Sequence, residues 1–488
     1  MENLIQEAEK VFKSKIKSFP KFLVEHKDEE VRALIEQLCI LFVLDSFKKQ
    51  AALFLLNKWP RIRPLFIGTK PFHIKSIFPH KNIFIDAVLA RLKQLEIYKI
   101  NDKKTIYDYL AVAMIPQLSL QKGDITFLKN VENDPLATFT EWGNKVNLTR
   151  QGSRLKWERL GERVYPQITA WLNCKKIKLR LLFGYVDVGK KLFLLNNLSK
   201  GLLSTVFLRS VGRFRSSLSD LYFTLRIPDD VRCQSLIEKS FKKMLDSGLI
   251  ESFKLVEVIA VSRGINLEIF DVNQNRWLFN PELWLMYLKN YLPEWDSFEE
   301  PPPESHYEFY SSKIDKMDLE VIDALLVDGR IRNTLLAEQL EISRKTIYNK
   351  RKKLIKENFV NFYLAVRNMG LDGFFMLLLE GDNLKRSMFK KACLKFPQWV
   401  FYDYIGKGSV EGSVFAFEVP NTQLWKLFWY LEDLRPEFGI QKIWYDFFPI
   451  GSFTISNLID RWNEKRQKWM WQEPDFNLIT LSEIERYL

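Results

Sequence analysis

Met317–Val360 reads MDLEVIDALLVDGRIRNTLLAEQLEISRKTIYNKRKKLIKENFV, a pattern of three short helices. Leu319, Ile322 and Leu325–Leu326 recur at helical spacing and make one apolar face. Asp328-Gly329 breaks that helix, because glycine accepts the positive φ a stop needs. Asn333 or Thr334 is placed to cap a second helix carrying Leu335, Leu336, Ala337 and Leu340. Ala337 is small and lets another helix pack close. Glu341-Ile342 makes the turn, and Ser343 caps the third helix.

In that third helix Ile347, Leu354 and Ile355 suit a core. Arg344, Lys345, Tyr348, Asn349, Lys352 and Lys356 fall on the other side, with no acidic residue between Arg344 and Lys356. A basic helix set after a tight turn suits the major groove of double-stranded DNA, where N-terminal side chains reach base edges and cations neutralise phosphate. Arg344, Lys345, Tyr348 and Asn349 are the candidate base readers; Lys350, Arg351, Lys352, Lys353 and Lys356 are the candidate phosphate contacts. The competing reading is a solvated basic face on an ordinary helical bundle.

The stretch resembles the helix-turn-helix of the Lrp/AsnC (feast/famine) regulators. The resemblance rests on Met317-Asp318, Asp328-Gly329-Arg330, Leu336-Ala337-Glu338, Ile342-Ser343, and Leu354 before Asn358-Phe359-Val360. Arg351 stands where the family has an apolar core residue. Asn358 stands where it has Gly, and Asn tolerates the left-handed region next best.

At 488 residues the chain is expected to hold two to four domains. A net charge of +13 and pI near 9.2 favour an anionic partner. Cys39, Cys174, Cys233 and Cys393 lie far apart, without a CxxC, and read as reduced thiols, neither a metal site nor a disulfide frame. No signal peptide is evident, and Ile40–Leu56 is broken by Asp45, Lys48 and Lys49, so no membrane span is expected. The reading is a cytoplasmic, nucleoid-associated protein.

Residues 1–120 read as a mainly helical domain. Within it Lys81–Ile100 looks like another third helix running into a wing strand, or part of a plain accessory domain. Asp124–Tyr165 then aligns without gaps on Asp318–Phe359. Asp124 matches Asp318, Gly143 matches Ala337, Leu148-Thr149 matches Ile342-Ser343, and Lys156 matches Lys350. This copy presents Arg150, Gln151, Arg154, Lys156 and Arg159 but also Glu158, which points to weaker DNA affinity or a structural role.

Each copy is followed by the same predicted series. The first is strand 181–188, helix 190–200, strands 203–211 and 220–227 with 213–219 as the turn, helix 230–247 and strand 253–261. The second is 374–379, 383–396, 399–406, 413–419, 422–434 and 442–448. The order βαββαβ is a ferredoxin-like sandwich, which the resemblance equates with the family's effector (RAM) and oligomerisation domain. Both copies end in a Trp-rich tail, at 276–281 and 468–471. The expected fold class is therefore α+β: tandem winged helix-turn-helix domains at 121–167 and 316–362, each followed by a ferredoxin-like sandwich at 168–293 and 363–488. An acidic, Pro-rich linker at 294–315 separates the units.

The family binds small-molecule effectors at a Gly- and Asp-containing turn between the second and third strands. Gly212, Gly406 and Gly408 mark the corresponding turns, without a close Gly–Asp pair, so the glycines serve either an effector or only the hairpin. No GxxxxGK[ST], HExxH or GxSxG appears, and no catalytic residue, metal ligand or cofactor is assigned. Sirohaem decarboxylases resemble paired Lrp/AsnC units and supply an enzyme alternative. Such an enzyme would want imidazoles lining the sandwich, but His26, His73, His80 and His306 all lie outside both. The third alternative is a non-specific DNA-coating or scaffold protein. The leading expectation is a sequence-specific DNA-binding transcriptional regulator, the two units forming an intrachain pseudo-dimer or a further homo-oligomer through the sandwiches.

Overall fold

The computed structural model describes residues 25–29, 31–32, 91–103, 105–106 and 120–476, apart from 165, 215, 292–312, 367–368, 372, 407, 409 and 453. Most of the expected N-terminal domain and of the acidic linker lies outside the described residues. Of Lys81–Ile100, residues 91–97 are helical and Lys99 has φ 51°; no strand follows at 100–103. Two compact units are present. One comprises residues 1–127, 138–166 and 366–369; the other holds the remainder, including the whole nine-stranded sheet.

Numbered from the first helix described end to end, the chain opens with α1 (Lys122–Asn133), α2 (Phe139–Lys145) and α3 (Arg150–Arg163), then strand β1 (Gln167–Leu172). The first sandwich follows: β2 (Leu179–Asp187), α4 (Leu194–Ser204), β3 (Leu208–Phe214), β4 (Ser217–Pro228), α5 (Val231–Asp246) and β5 (Ser252–Ile265). A small hairpin, β6 (Phe270–Asp271) with β7 (Arg276–Trp277), and the short α6 (Pro281–Met286) close this half. The second half repeats the order: α7 (Lys316–Val327), α8 (Asn333–Gln339), α9 (Arg344–Lys356), β8 (Val360–Ala365), β9 (Gly373–Glu380), α10 (Asn383–Cys393), β10 (Gln398–Ile405), β11 (Glu411–Val419), α11 (Leu424–Phe438) and β12 (Ile440–Tyr445). It ends with β13 (Phe447–Ser452) and the hairpin of β14 (Trp462–Asn463) and β15 (Lys468–Trp469).

Both series are βαββαβ, and each sandwich orders its strands fourth, first, third, second: β5-β2-β4-β3 and β12-β9-β11-β10. Their helices bury one face against the sheet. In α4 that face is Leu194, Leu195, Leu198 and Leu202; in α11 it is Leu424, Leu427, Leu431, Leu434 and Phe438. Each such side chain contributes about 1.5–3 kcal/mol by leaving water.

The two sandwiches share one antiparallel sheet. Strand β5 pairs with β2 over residues 252–258 and with β10 of the other sandwich over 257–265. In the second copy the same task is divided: β12 pairs with β9, Asp446 turns the chain at φ 60°, and β13 pairs with β3 of the first sandwich. Lys442 reaches Asp187 at 3.4 Å and Asp220 at 3.5 Å, while Lys254 of the first copy bridges to Glu380 of the second. The indole N–H of Trp444 donates to buried Asp220 at 2.6 Å, and the Trp444 ring stacks on Phe214 at 5.5 Å. Strands β1 and β8 also pair, centred on Thr169 opposite Tyr363. Those two residues have the same sequence offset as Asp124 and Asp318.

Several boundaries differ from expectation. Helix α4 starts four residues late because Asp187 Oδ1 accepts the Gly189 N–H at 2.9 Å, and Gly189, at φ 54°, turns the chain first. The turn expected at 213–219 is shorter, with β3 running on to Phe214 and β4 starting at Ser217, since β13 supplies β3 with a distant partner as far as Phe214. Gly212 therefore stands inside β3, between Tyr222 and Pro449, and not at a turn.

Candidate nucleic-acid interface

Helix α9 is set by the turn before it. The Ile342 N–H bonds to Ala337 O at 3.0 Å, Glu341 takes φ 55°, and Ser343 Oγ accepts the Thr346 N–H at 3.1 Å. The first copy makes the same turn: Leu148 N–H to Gly143 O at 2.9 Å, Asn147 at φ 56°, and Thr149 Oγ1 accepting from Gly152 N at 3.1 Å. A Cβ on Gly143 would run into the Leu148 backbone carbonyl oxygen and come within 2.6 Å of Ser153 Oγ, so this copy requires Gly where the other carries Ala.

Two details of the second copy correct the sequence reading. Gly329 does not adopt positive φ. Its glycine serves a close approach, since a Cβ there would lie 2.8 Å from the Phe362 ring and 3.1 Å from Ile168, and its N–H bonds to Ile168 O at 2.9 Å. The left-handed positions are Glu341 and Asn358, the latter at φ 56°. The N-cap of α8 is Arg332, without a side-chain cap, rather than Asn333 or Thr334.

Ile347 and Leu354 are fully buried and orient α9. Arg344, Lys345, Tyr348, Asn349, Lys352 and Lys356 are exposed on it, Tyr348 by 54%. The other three cations assigned to phosphate have internal partners. Lys350 Nζ donates to Asp315 Oδ2 at 2.6 Å and Asp318 Oδ1 at 2.9 Å. Lys353 Nζ donates to Asp318 Oδ2 at 3.1 Å and to Lys313 O at 2.8 Å. Arg351 donates to Gly329 O at 2.6 Å and Ile331 O at 2.8 Å, which ties α9 to the turn between α7 and α8. Burial lowers the Arg351 pKa, against the attraction of Asp328. Burial would also lower Lys350, but the Asp315 and Asp318 hydrogen bonds outweigh it and raise its pKa. Burial would raise Asp315, yet the Lys350 and Asp318 N–H bonds hold it low.

In the first copy Arg150, Gln151, Arg154 and Arg159 are exposed on α3. Arg154 pairs with Glu158 at 2.9 Å, and Lys156 bonds Asp124 at 3.0 Å. The Lys156–Asp124 pair repeats the Lys350–Asp318 pair, so the aligned lysine serves internal packing in both copies. Of the effector candidates, Gly406 and Gly408 lie between β10 and β11. Gly406 N–H bonds to Val410 O at 2.7 Å and Gly408 takes φ 72°, a hairpin geometry.

Sequence reading missed the contact from the chain's far end. Gln467 accepts the Ile314 N–H at 3.0 Å and donates to Ile314 O at 2.8 Å, and Lys316 bonds Glu464 at 2.6 Å through its N–H and Asp460 at 2.6 Å through Nζ. The one available signal was the repeated Trp-rich tail. Among the described residues no group of three or more His, Cys, Asp or Glu could hold a metal ion. No helix described is long and apolar enough to cross a membrane.

These helices define a winged helix-turn-helix DNA-binding domain, and the family model of that description matches residues 314–361. Among solved structures, the chain is similar to the siroheme decarboxylase NirDL: 12% identity over 75% of this chain and 99% of that one, TM-score 0.42. The same enzyme in co-complex with an iron-uroporphyrin III analogue matches at 13% identity over 70% of this chain and 97% of that one, TM-score 0.42. The protein PH0061 matches at 16% identity over 29% of this chain and 94% of its own, TM-score 0.21. No curated protein matches the chain.

Proposed function

We propose that this chain is a sequence-specific double-stranded DNA-binding transcriptional regulator of Lrp/AsnC type, its two halves acting as an intrachain pseudo-dimer. The observation that carries the reading is α9: six exposed base- and phosphate-competent side chains, none of them acidic, on a helix whose remaining cations are turned to internal partners. Arg344, Lys345, Tyr348 and Asn349 read bases; Lys352 and Lys356 hold phosphate. The sheet shared by the two sandwiches supports the pseudo-dimer. Helix α3 contributes less, because Glu158 offsets Arg154. The two recognition helices differ, so the bound site is asymmetric.

Enrichment of genomic fragments by the purified chain across a salt series tests this. An asymmetric motif that survives near-physiological salt is expected; a perfectly two-fold motif, or binding without a motif, overturns the reading. Lys352→Ala should weaken all sites alike and reduce the salt slope by about one. Loss of sequence preference in that variant would instead make Lys352 a base reader.

A further inference from the structure

A cavity of about 370 Å³ opens on the first sandwich, and Gly212, Gly406 and Gly408 are not among the residues that line it. Its floor is the turn of residues 175–178, closed by Lys178 at φ 58°. One wall is Pro228-Asp229-Asp230 before α5, and the other is the C-terminal hairpin with Trp469 and Trp471. Five cations line it (Lys175, Lys176, Lys178, Arg232 and Lys468) against two carboxylates, Asp229 and Asp230. Both carboxylates already face arginines, Asp230 with Arg232 at 2.7 Å and Asp229 with Arg180 at 3.5 Å. The apolar lining is held firmly. Trp469 is 3% exposed and donates its indole N–H to Ile177 O at 2.6 Å, and Trp471 packs its edge on Phe476 with rings 5.8 Å apart.

We propose that this cleft binds a small organic anion, a phosphate or carboxylate attached to a flat ring. The volume fits a small-molecule site, the charge excess of the lining is positive, and half-buried Trp471, with Arg232 5.2 Å from its ring centre, offers apolar surface to a ring. A DNA backbone would use the cations but gain nothing from the walled tryptophans. The cleft is linked to the helix-turn-helix through hydrogen bonds of the C-terminal hairpin. Lys178 Nζ donates to Gln467 O at 2.8 Å, Gln467 brackets Ile314, and the adjacent Lys313 O accepts from Lys353 of α9. A bound anion that recruits Lys178 and Lys468 therefore acts on the hairpin that holds the entry to α7. Any effect on DNA affinity rests on the regulator reading above; anion binding does not.

Calorimetric titration of the full chain, without DNA, tests the site with adenosine monophosphate and indole-3-acetate as probes. Binding of the first assigns phosphate and binding of the second assigns carboxylate. In either case Lys468→Glu should weaken it at least about tenfold, and Lys239→Gln, an exposed change elsewhere on α5, should leave it intact. Hydrogen exchange at the start of α7 should slow when the probe is bound. Absence of binding by both probes, binding indifferent to K468E, or displacement of the probe by a short DNA duplex overturns the proposal. Failure of the chain to bind DNA, with K468E-sensitive probe binding preserved, would sink the regulator reading alone.

Discussion

Replacing Asp318 with Ala should loosen the second helix-turn-helix by about 3–5 kcal/mol, the range for breaking a buried ion pair from one side. The Asp318 side chain is 2% exposed and accepts from Lys350, Lys353 and the Asp315 N–H. Its loss takes the shared buried carboxylate from two ammonium groups, leaving Lys350 with Asp315 and Lys353 with Lys313 O, and removes half of the capping box that opens α7. Amide hydrogen exchange within α7–α9 should accelerate about a hundredfold or more, while the sheet strands stay protected. The double variant Asp318→Ala/Lys350→Met should recover at least about 1 kcal/mol of the loss, because a largely buried ammonium that has lost one of its two carboxylates is gone. Unchanged exchange in Asp318→Ala would show that the pair is not holding the domain together.

Glu132→Gln should stabilise the chain at alkaline pH and leave it unchanged in acid. Glu132, on α1, accepts the Ile265 N–H of β5 at 3.2 Å. Burial raises its pKa to about 7, with the Ile265 bond and Lys129 acting in the opposite direction. A carboxyl whose pKa is raised on folding binds its proton more tightly in the native state. Its contribution is therefore full below the unfolded value of 4.5 and is lost as pH rises toward 7. Discounted for partial exposure, the span is about 2–3 kcal/mol. Glutamine keeps the acceptor and never ionises. The denaturant midpoint of the variant should match wild type at pH 4 and exceed it at pH 8, with the difference developing between about 4.5 and 7. A difference that stays constant with pH would mean that Glu132 is solvated and ionised throughout.

Much of the recognition element was legible because its signals are local. Ser343 caps, Glu341-Ile342 turns, Ile347 and Leu354 are buried, and each effect acts within a few residues. Where a partner came from elsewhere, the reading slipped. Gly329 looked like a φ requirement and is a steric one, set by Phe362 and Ile168. Lys350 and Lys353 sit in an unbroken basic run, and nothing in the run itself shows that Asp318 claims them. The basic cleft draws residues 175–178, 228–232 and 468–471 together, too far apart for any motif to announce it.

By itself, then, the sequence determined the three-helix frame and the βαββαβ order that occurs twice, because apolar periodicity, caps and turn residues encode local geometry. The tertiary structure alone decided how the copies combine. Strands β5 and β13 each find a partner in the other sandwich, and Trp444 finds Asp220 across the same boundary. Edge pairing of this kind depends on which strand lies alongside in space. It also decided which cations of α9 remain outside, since a lysine beside a buried carboxylate gains more from that partner than from water.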